Sequence, residues 1–213
     1  MLIGVVGLIG SGKGTVADRL EQKHSFRKDS FAKSLKDAVS CMFNWDREML
    51  EGKTESSRYW REQPDKFWSE KFGKPTTPRW VLQYFGTEVM RGQMYDGIWV
   101  DSCIGRYKGQ NTVIADTRFP NEVKQIRAHG GKIILVKRGP DPDWFVDYVE
   151  GNIIPKGIHS SEYAWAKEEF DFVAGQANAA LANNWFHIGV YQDLTRSDYV
   201  ETDGGWISLD GKK

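Results

Sequence analysis

Residues 7 to 15 read Gly7-Leu8-Ile9-Gly10-Ser11-Gly12-Lys13-Gly14-Thr15 and contain the spacing GxxxxGK. The glycines let the backbone curl so that successive N–H groups converge on an anion, and a helix beginning there adds its positive end. In this arrangement Gly10, Ser11, Gly12, Lys13, Gly14 and Thr15 hold the phosphates of a nucleoside triphosphate, with Lys13 reaching the β- and γ-phosphates. A glycine-rich turn with an exposed lysine is the plainer alternative. A second cluster, Asp116-Thr117-Arg118, ends an apolar run. Asp116 there suits a Mg²⁺ ion held through water, with the Thr15 hydroxyl as the other candidate metal contact, and Arg118 suits a two-pronged clamp on an acceptor phosphate. An Asp that caps a helix beside a surface Arg is the competing account. Arg138 offers a third cation at the end of another apolar run.

The elements around these residues place them at one edge. Leu2–Val6 is a short apolar run, and Lys13–Lys23 sets Val16, Ala17 and Leu20 at helical spacing, so the glycine-rich segment lies between strand and helix. Thr112–Asp116 has the continuous apolar character of a buried parallel strand stopping on a carboxylate, and Lys132–Val136 reads as the next strand. Pro120 opens a helix that Gly130-Gly131 closes. Strand alternating with helix predicts an α/β fold, a parallel sheet with helices on both faces and its ligands at the carboxyl ends of the strands. Further helices are expected over Ala32–Phe43 and from a Thr77 cap with Pro78 at the first position to about Gly92. Residues 46–76 read as an irregular insertion, and 139–158, punctuated by Gly and Pro, as a loop. Trp185–Tyr191 and Trp206–Leu209 are candidate strands of a C-terminal hairpin.

Composition narrows the class. The 213 residues suffice for one sizeable core, and 29 Lys plus Arg balance 29 Asp plus Glu, so the chain has no overall field for nucleic acid or an anionic membrane. Two cysteines, Cys41 and Cys103, fit a reducing cytoplasm better than a disulfide framework or a metal site. No apolar stretch approaches membrane-span length.

One position departs from the common phosphate-loop pattern: Gly14 follows Lys13, and the hydroxyl moves to Thr15. This GxGKGT ending resembles that of adenylate-kinase-like nucleoside monophosphate kinases. Further blocks follow in order: Phe31-Ala32-Lys33-Ser34-Leu35-Lys36, Leu82-Gln83-Tyr84-Phe85-Gly86-Thr87-Glu88, Asp96-Gly97-Ile98-Trp99, Asp116-Thr117-Arg118-Phe119-Pro120-Asn121-Glu122 and His159-Ser160-Ser161-Glu162. Together, across roughly residues 1–173, they resemble the bacteriophage deoxynucleoside monophosphate kinases.

That resemblance implies a three-layer P-loop kinase fold with acceptor-binding and lid insertions, ATP as donor, Mg²⁺, a deoxynucleoside monophosphate as acceptor, homodimers in some members, and action in a host cytoplasm. It implies a single domain: a core at about 1–30, 110–138 and 160–190, an acceptor-binding insertion at about 31–105, a lid-like loop at about 138–162 and a C-terminal extension at about 176–213. Carried onto this chain, it makes Lys13, Arg118, Arg138 and Asp116 the catalytic set. The acceptor set is Lys33, Lys36, Gln83, Thr87, Glu88, Arg91, Trp99, Arg118, His159 and Glu162. For several of these a structural account competes: solvated lysines on an amphipathic helix, a core tryptophan, or a His159 that braces the following helix. After Asp171-Phe172-Val173 the chain departs from the family, because Ala174–Asn178 intervenes where an adenine-contacting turn is expected. Two other readings stand beside this one: a P-loop kinase for dephospho-coenzyme A or a sugar acid, and a nucleotide-hydrolysing switch protein.

Overall fold

The structure is a computed structural model of the chain. It describes residues 1–175, and beyond them the backbone of 199–202 and 205–208. The described residues form two compact units, one of Met1–Ser30 with those from Tyr107 onward, the other Phe31–Arg106.

The first unit is built on a parallel sheet of β1 (Leu2–Val6), β2 (Arg27–Asp29), β3 (Thr112–Ile114), β4 (Lys132–Lys137) and β5 (Phe172–Gly175), in the order β2-β3-β1-β4-β5. β1 is central and buried along its whole length. The connection leaving β1 leads to β2 on one side, whereas the one leaving β3 crosses β1 to reach β4 on the other, so the crevice at the carboxyl ends of β1 and β3 is the topological switch point where ligands of open α/β sheets bind. Alternate residues of β1 serve opposite faces. Ile3 and Val5 join Val16, Ala17 and Leu20 of α1 (Lys13–His24) in one apolar cluster. Gly4 faces α8 (Pro120–Ala128) so closely that an added Cβ would lie 2.5 Å from Ile126 Cδ1. Helices thus cover both faces, as the strand-helix alternation requires. β2 is a polar edge strand of three residues, the first two exposed, that no apolar pattern announces.

The second unit is helical. Its α2 is Lys33–Phe43, and Leu35 and Val39 pack in a core with Trp45, Leu50, Val81 and Trp99. Residues 46–76, expected to be irregular, form α3 (Arg47–Glu51), α4 (Glu55–Glu62) and α5 (Lys66–Phe72). Each is only one or two turns long, too short to show a 3.6-residue period. Their starts are local chemistry instead: the side chains of Asp46, Thr54 and Asp65 accept from the N–H groups of Met49, Ser57 and Trp68. Arg61 caps α3 from the side, donating to the Leu50 and Glu51 carbonyls.

The Pro78 helix is capped by Thr77 as expected, but it is α-helical only over α6 (Pro78–Gln83) and continues as a π-helix over Tyr84–Met94. The wider winding ends with Tyr95 N–H bonded to the Met90 carbonyl, five residues back. Gly86 lies within it, where a Cβ would come 2.7 Å from Leu35 Cδ2. α7 (Ile98–Ile104) follows, with Trp99 inside the core and its indole donating to the Gly86 carbonyl at 2.9 Å.

The segment 139–158, read as a loop, contains α9 (Asp143–Gly151). Its Pro and Gly residues bracket the helix rather than interrupt it. The last described strands, β6 (Tyr199–Thr202) and β7 (Gly205–Ser208), form an antiparallel hairpin. Trp206 is therefore in a strand, paired with 199–202, while Trp185–Tyr191 lies outside the described residues. No helix among the described residues is long and apolar enough to cross a membrane.

Candidate active site

The glycine-rich loop leaves the carboxyl end of β1 and turns directly into α1. Gly7, Gly10 and Gly12 adopt φ of 146°, 78° and 101°, conformations open chiefly to glycine. At Gly7 space also forbids a side chain, since a Cβ would sit 2.4 Å from the Val136 carbonyl oxygen of β4. Gly12 is the N-cap of α1 and offers no side-chain cap, so the first-turn amides are left for an anion. The Ser11 hydroxyl is buried and makes no hydrogen bond among the described residues. At Gly14 an added Cβ would meet nothing within 4 Å, and Thr15 beside it is exposed.

Lys13 Nζ donates to the Gly7 and Leu8 carbonyls at 2.7 and 2.8 Å. Burial, then the Arg118 guanidinium, lower its pKa from 10.5 to about 8, while Glu162 and Asp116 pull the other way. Lysine, aspartate, arginine and glutamate from three separate segments, the glycine-rich loop, the turn after β3 and the turn around residue 162, therefore share one electrostatic site.

Asp116 and Arg118 follow β3 in a tight turn. Ser30 Oγ, at the end of β2, donates to Asp116 Oδ2 at 2.6 Å. Glu122, almost fully buried in the first turn of α8, accepts from the backbone N–H groups of Arg118 (2.6 Å) and Phe119 (3.1 Å) and so fixes the turn. Arg118 reaches the 3₁₀ turn Ser160–Glu162, with one amino group 2.8 Å from Glu162 Oε1 and 3.3 Å from the Ser161 carbonyl. His159 caps that turn: its Nδ1 accepts from Ser161 N–H and lies 2.8 Å from Ser161 Oγ. The bracing arrangement is thus the one present.

Arg138 is exposed just past β4. With Leu8 and Ile9 of the loop, Trp144 and Phe145 of α9, and Trp165, it bounds a largely apolar cavity of about 450 Å³. Phe145 and Trp165 meet in its wall with ring centroids 5.6 Å apart and planes tilted by 35°.

The other sequence-derived candidates lie in the helical unit. Lys33 pairs with Asp37 at 2.8 Å, and Lys36 with Glu51 at 2.7 Å. Gln83 ends α6, and Thr87, Glu88 and Arg91 follow on the π-helix, where i→i+5 winding keeps residues four and five apart on one face. Arg91 is buried and pairs with Asp96 at 3.1 Å. Ser30 was missed by sequence reading, and Glu122 and Ser161, though part of the quoted blocks, were given no role at the site. Glu122 carried a local signal, as the acid at the third position after Phe119 in a Pro-initiated helix.

The donor set fits Mg²⁺-ATP. An uncapped helix start, a buried unpartnered hydroxyl and a lysine together suit a triphosphate. No cluster of three or more His, Cys, Asp or Glu side chains that could hold a metal ion exists among the described residues.

Lys13 also sets a pH dependence. Below about 8 the ammonium is charged in the free protein and binds phosphate; above it the charge is lost. The kcat/KM for ATP should therefore fall as pH rises through about 8, while kcat, reporting the phosphate-bound state, should fall at higher pH. Stability has the opposite sign. Because the folded pKa is depressed, the unfolded chain binds more protons between about 8 and 10.5, so wild type should gain stability relative to Lys13→Met across that window. Denaturant midpoints at pH 7 and pH 10 check this.

A nucleotide-phosphate loop at the switch point of a β2-β3-β1-β4-β5 parallel sheet, with an Asp and an Arg from the neighbouring strand, defines a P-loop kinase. Use of Mg²⁺-ATP is typical of that superfamily. The curated "Putative deoxynucleotide monophosphate kinase" of Acanthamoeba polyphaga mimivirus is 33% identical to this chain over 152 residues, covering 65% of the chain and 74% of that protein. The chain belongs to the deoxynucleoside monophosphate kinase family. No protein-family model matches it. Among solved structures, shikimate kinase from Bacteroides thetaiotaomicron is similar at TM-score 0.37 and 14% identity, over 82% of this chain and 86% of that one. A gluconokinase from Sinorhizobium meliloti 1021 is similar at TM-score 0.36 and 13% identity, over 83% and 82%.

Proposed function

We propose that the protein transfers the γ-phosphate of ATP to a deoxynucleoside monophosphate, giving the diphosphate. The observation that carries this reading is Arg118 set beside Lys13 and Asp116 in one electrostatic cluster at the loop: one cation for the donor, and a second suited to an anionic acceptor. The family relationship supplies the class of acceptor.

The loop amides and Lys13 bind the β- and γ-phosphates and fix the line of attack. Thr15 and Asp116 are the residues proposed to hold Mg²⁺, which when bound neutralises charge on the donor phosphates. Arg118 takes the acceptor phosphate through paired N–H donors, and Arg138 supplies charge to the transferred group. A monophosphate is already an anionic nucleophile, so no general base is needed, and catalysis is positioning plus electrostatics. Gln83, Thr87 and Glu88 are proposed to read the base and sugar.

Rates of ADP formation over a panel of deoxynucleoside and ribonucleoside monophosphates, dephospho-coenzyme A and sugar acids test the reading. At least one deoxynucleoside monophosphate should accelerate ADP release many-fold and appear as its diphosphate. Acceleration by dephospho-coenzyme A or a sugar acid alone would replace the acceptor class. ADP formation that no acceptor changes would make the protein a nucleotide-hydrolysing switch.

A further inference from the structure

Arg118 uses its guanidinium unevenly. One amino group makes all of its side-chain contacts: 2.8 Å to Glu162 Oε1, 3.3 Å to the Ser161 carbonyl and 3.5 Å to Ser161 Oγ. The Nε–H and the second amino group hydrogen-bond to nothing among the described residues, and the side chain is 36% exposed against 14% for that of Glu162. A guanidinium held at one corner presents its opposite edge, and that edge is the one that matches two phosphate oxygens at once.

We propose that Glu162 is a positioning residue: its carboxylate grips one amino group of Arg118 and so aims the free Nε edge at the acceptor phosphate, without touching the acceptor. Glu162 is itself rigidly mounted. Its N–H donates to the His159 carbonyl at 2.9 Å, its carbonyl accepts from the Trp165 indole at 3.1 Å, and His159 caps the turn. The other end of the arginine is equally fixed, because the buried Glu122 carboxylate holds its backbone N–H. Backbone and guanidinium of Arg118 are thus each anchored by a different glutamate, leaving few rotamers to freeze when phosphate arrives. The inference rests on the proposed use of Arg118 for the acceptor, and it departs from the family expectation that Glu162 binds the acceptor itself.

A double-mutant cycle separates the two roles. With whichever acceptor wild type phosphorylates in the panel, Glu162→Gln should lower kcat/KM by about tenfold or more, the scale of one charge-assisted hydrogen bond. In an Arg118→Ala background the same change should have no further effect. Guanidinium ion added to Arg118→Ala should restore part of the rate when Glu162 is present and none in the double variant, a readout that a merely structural glutamate would not produce. Equal costs of Glu162→Gln in both backgrounds would mean direct acceptor contact and overturn the proposal. So would rescue by guanidinium in both variants.

A readout independent of acceptor and turnover is ¹⁵N NMR of the Arg118 side chain. Wild type should show two resolved amino nitrogens from restricted rotation, and Glu162→Gln should show them averaged. Averaging already present in wild type would also overturn the proposal. A panel in which no deoxynucleotide is phosphorylated defeats the proposed function while leaving this experiment decisive.

Discussion

Lys13→Ala is expected to remove phosphoryl transfer, with kcat/KM for ATP down by at least about 10²–10³-fold, the cost of deleting one preorganised charged donor at developing phosphate charge. Fold and loop should survive. Lys13 belongs to neither apolar cluster, and its two side-chain bonds go to loop carbonyls on the ligand side of the sheet. Steady-state kinetics beside a far-ultraviolet circular dichroism spectrum check both halves. Full activity would exclude Gly7–Thr15 as the donor site.

Arg118→Ala should cost roughly 10²–10³-fold in kcat/KM for the acceptor, and Arg118→Lys should recover little, because an ammonium cannot present two parallel donors while held by Glu162. The substitution has a second, measurable consequence. The Arg118 guanidinium is one cause of the low Lys13 pKa, whereas Glu162 and Asp116 act to raise it. Without Arg118 the alkaline limb of kcat/KM for ATP should move upward in pH. An acceptor-side defect with no movement of that limb would show that the two cations do not sense each other.

The site was legible where chemistry and backbone need coincide. Gly7, Gly10 and Gly12 are obligatory because the loop requires positive φ. Asp116 and Arg118 stood out because a buried strand ended on charge. Glu122 was readable in principle as a first-turn acid, but its contact with the Arg118 amide depends on a turn geometry that no spacing encodes. The contacts of Ser30 and Ser161 were hidden for the same reason: a serine becomes a partner of Asp116 or Arg118 only once distant segments meet.

The sheet strands with apolar runs were equally plain, whereas β2 is three polar residues, the exposed Arg27 and Lys28 and the partly buried Asp29, defined by its pairing with β3. The short helices α3 to α5 are set by single capping side chains, which composition alone presents as polar disorder. Lys33 and Lys36 show a different limit. Lysines on a helix look available in sequence, and here the carboxylates of Asp37 and Glu51 already engage them.

The strand pairing carries a kinetic consequence as well. Arg27–Asp29 must find Thr112–Ile114, yet the whole of Phe31–Arg106 lies between them. Closing a flexible loop of that length costs on the order of 4 kcal/mol in chain entropy by the (3/2)RT ln n relation. Local helical contacts that condense early within Phe31–Arg106 shorten the effective loop and reduce that cost. The edge of the sheet that delivers Ser30 to Asp116 is therefore a high-contact-order pairing, and it is expected to form after the local helical contacts of the inserted segment.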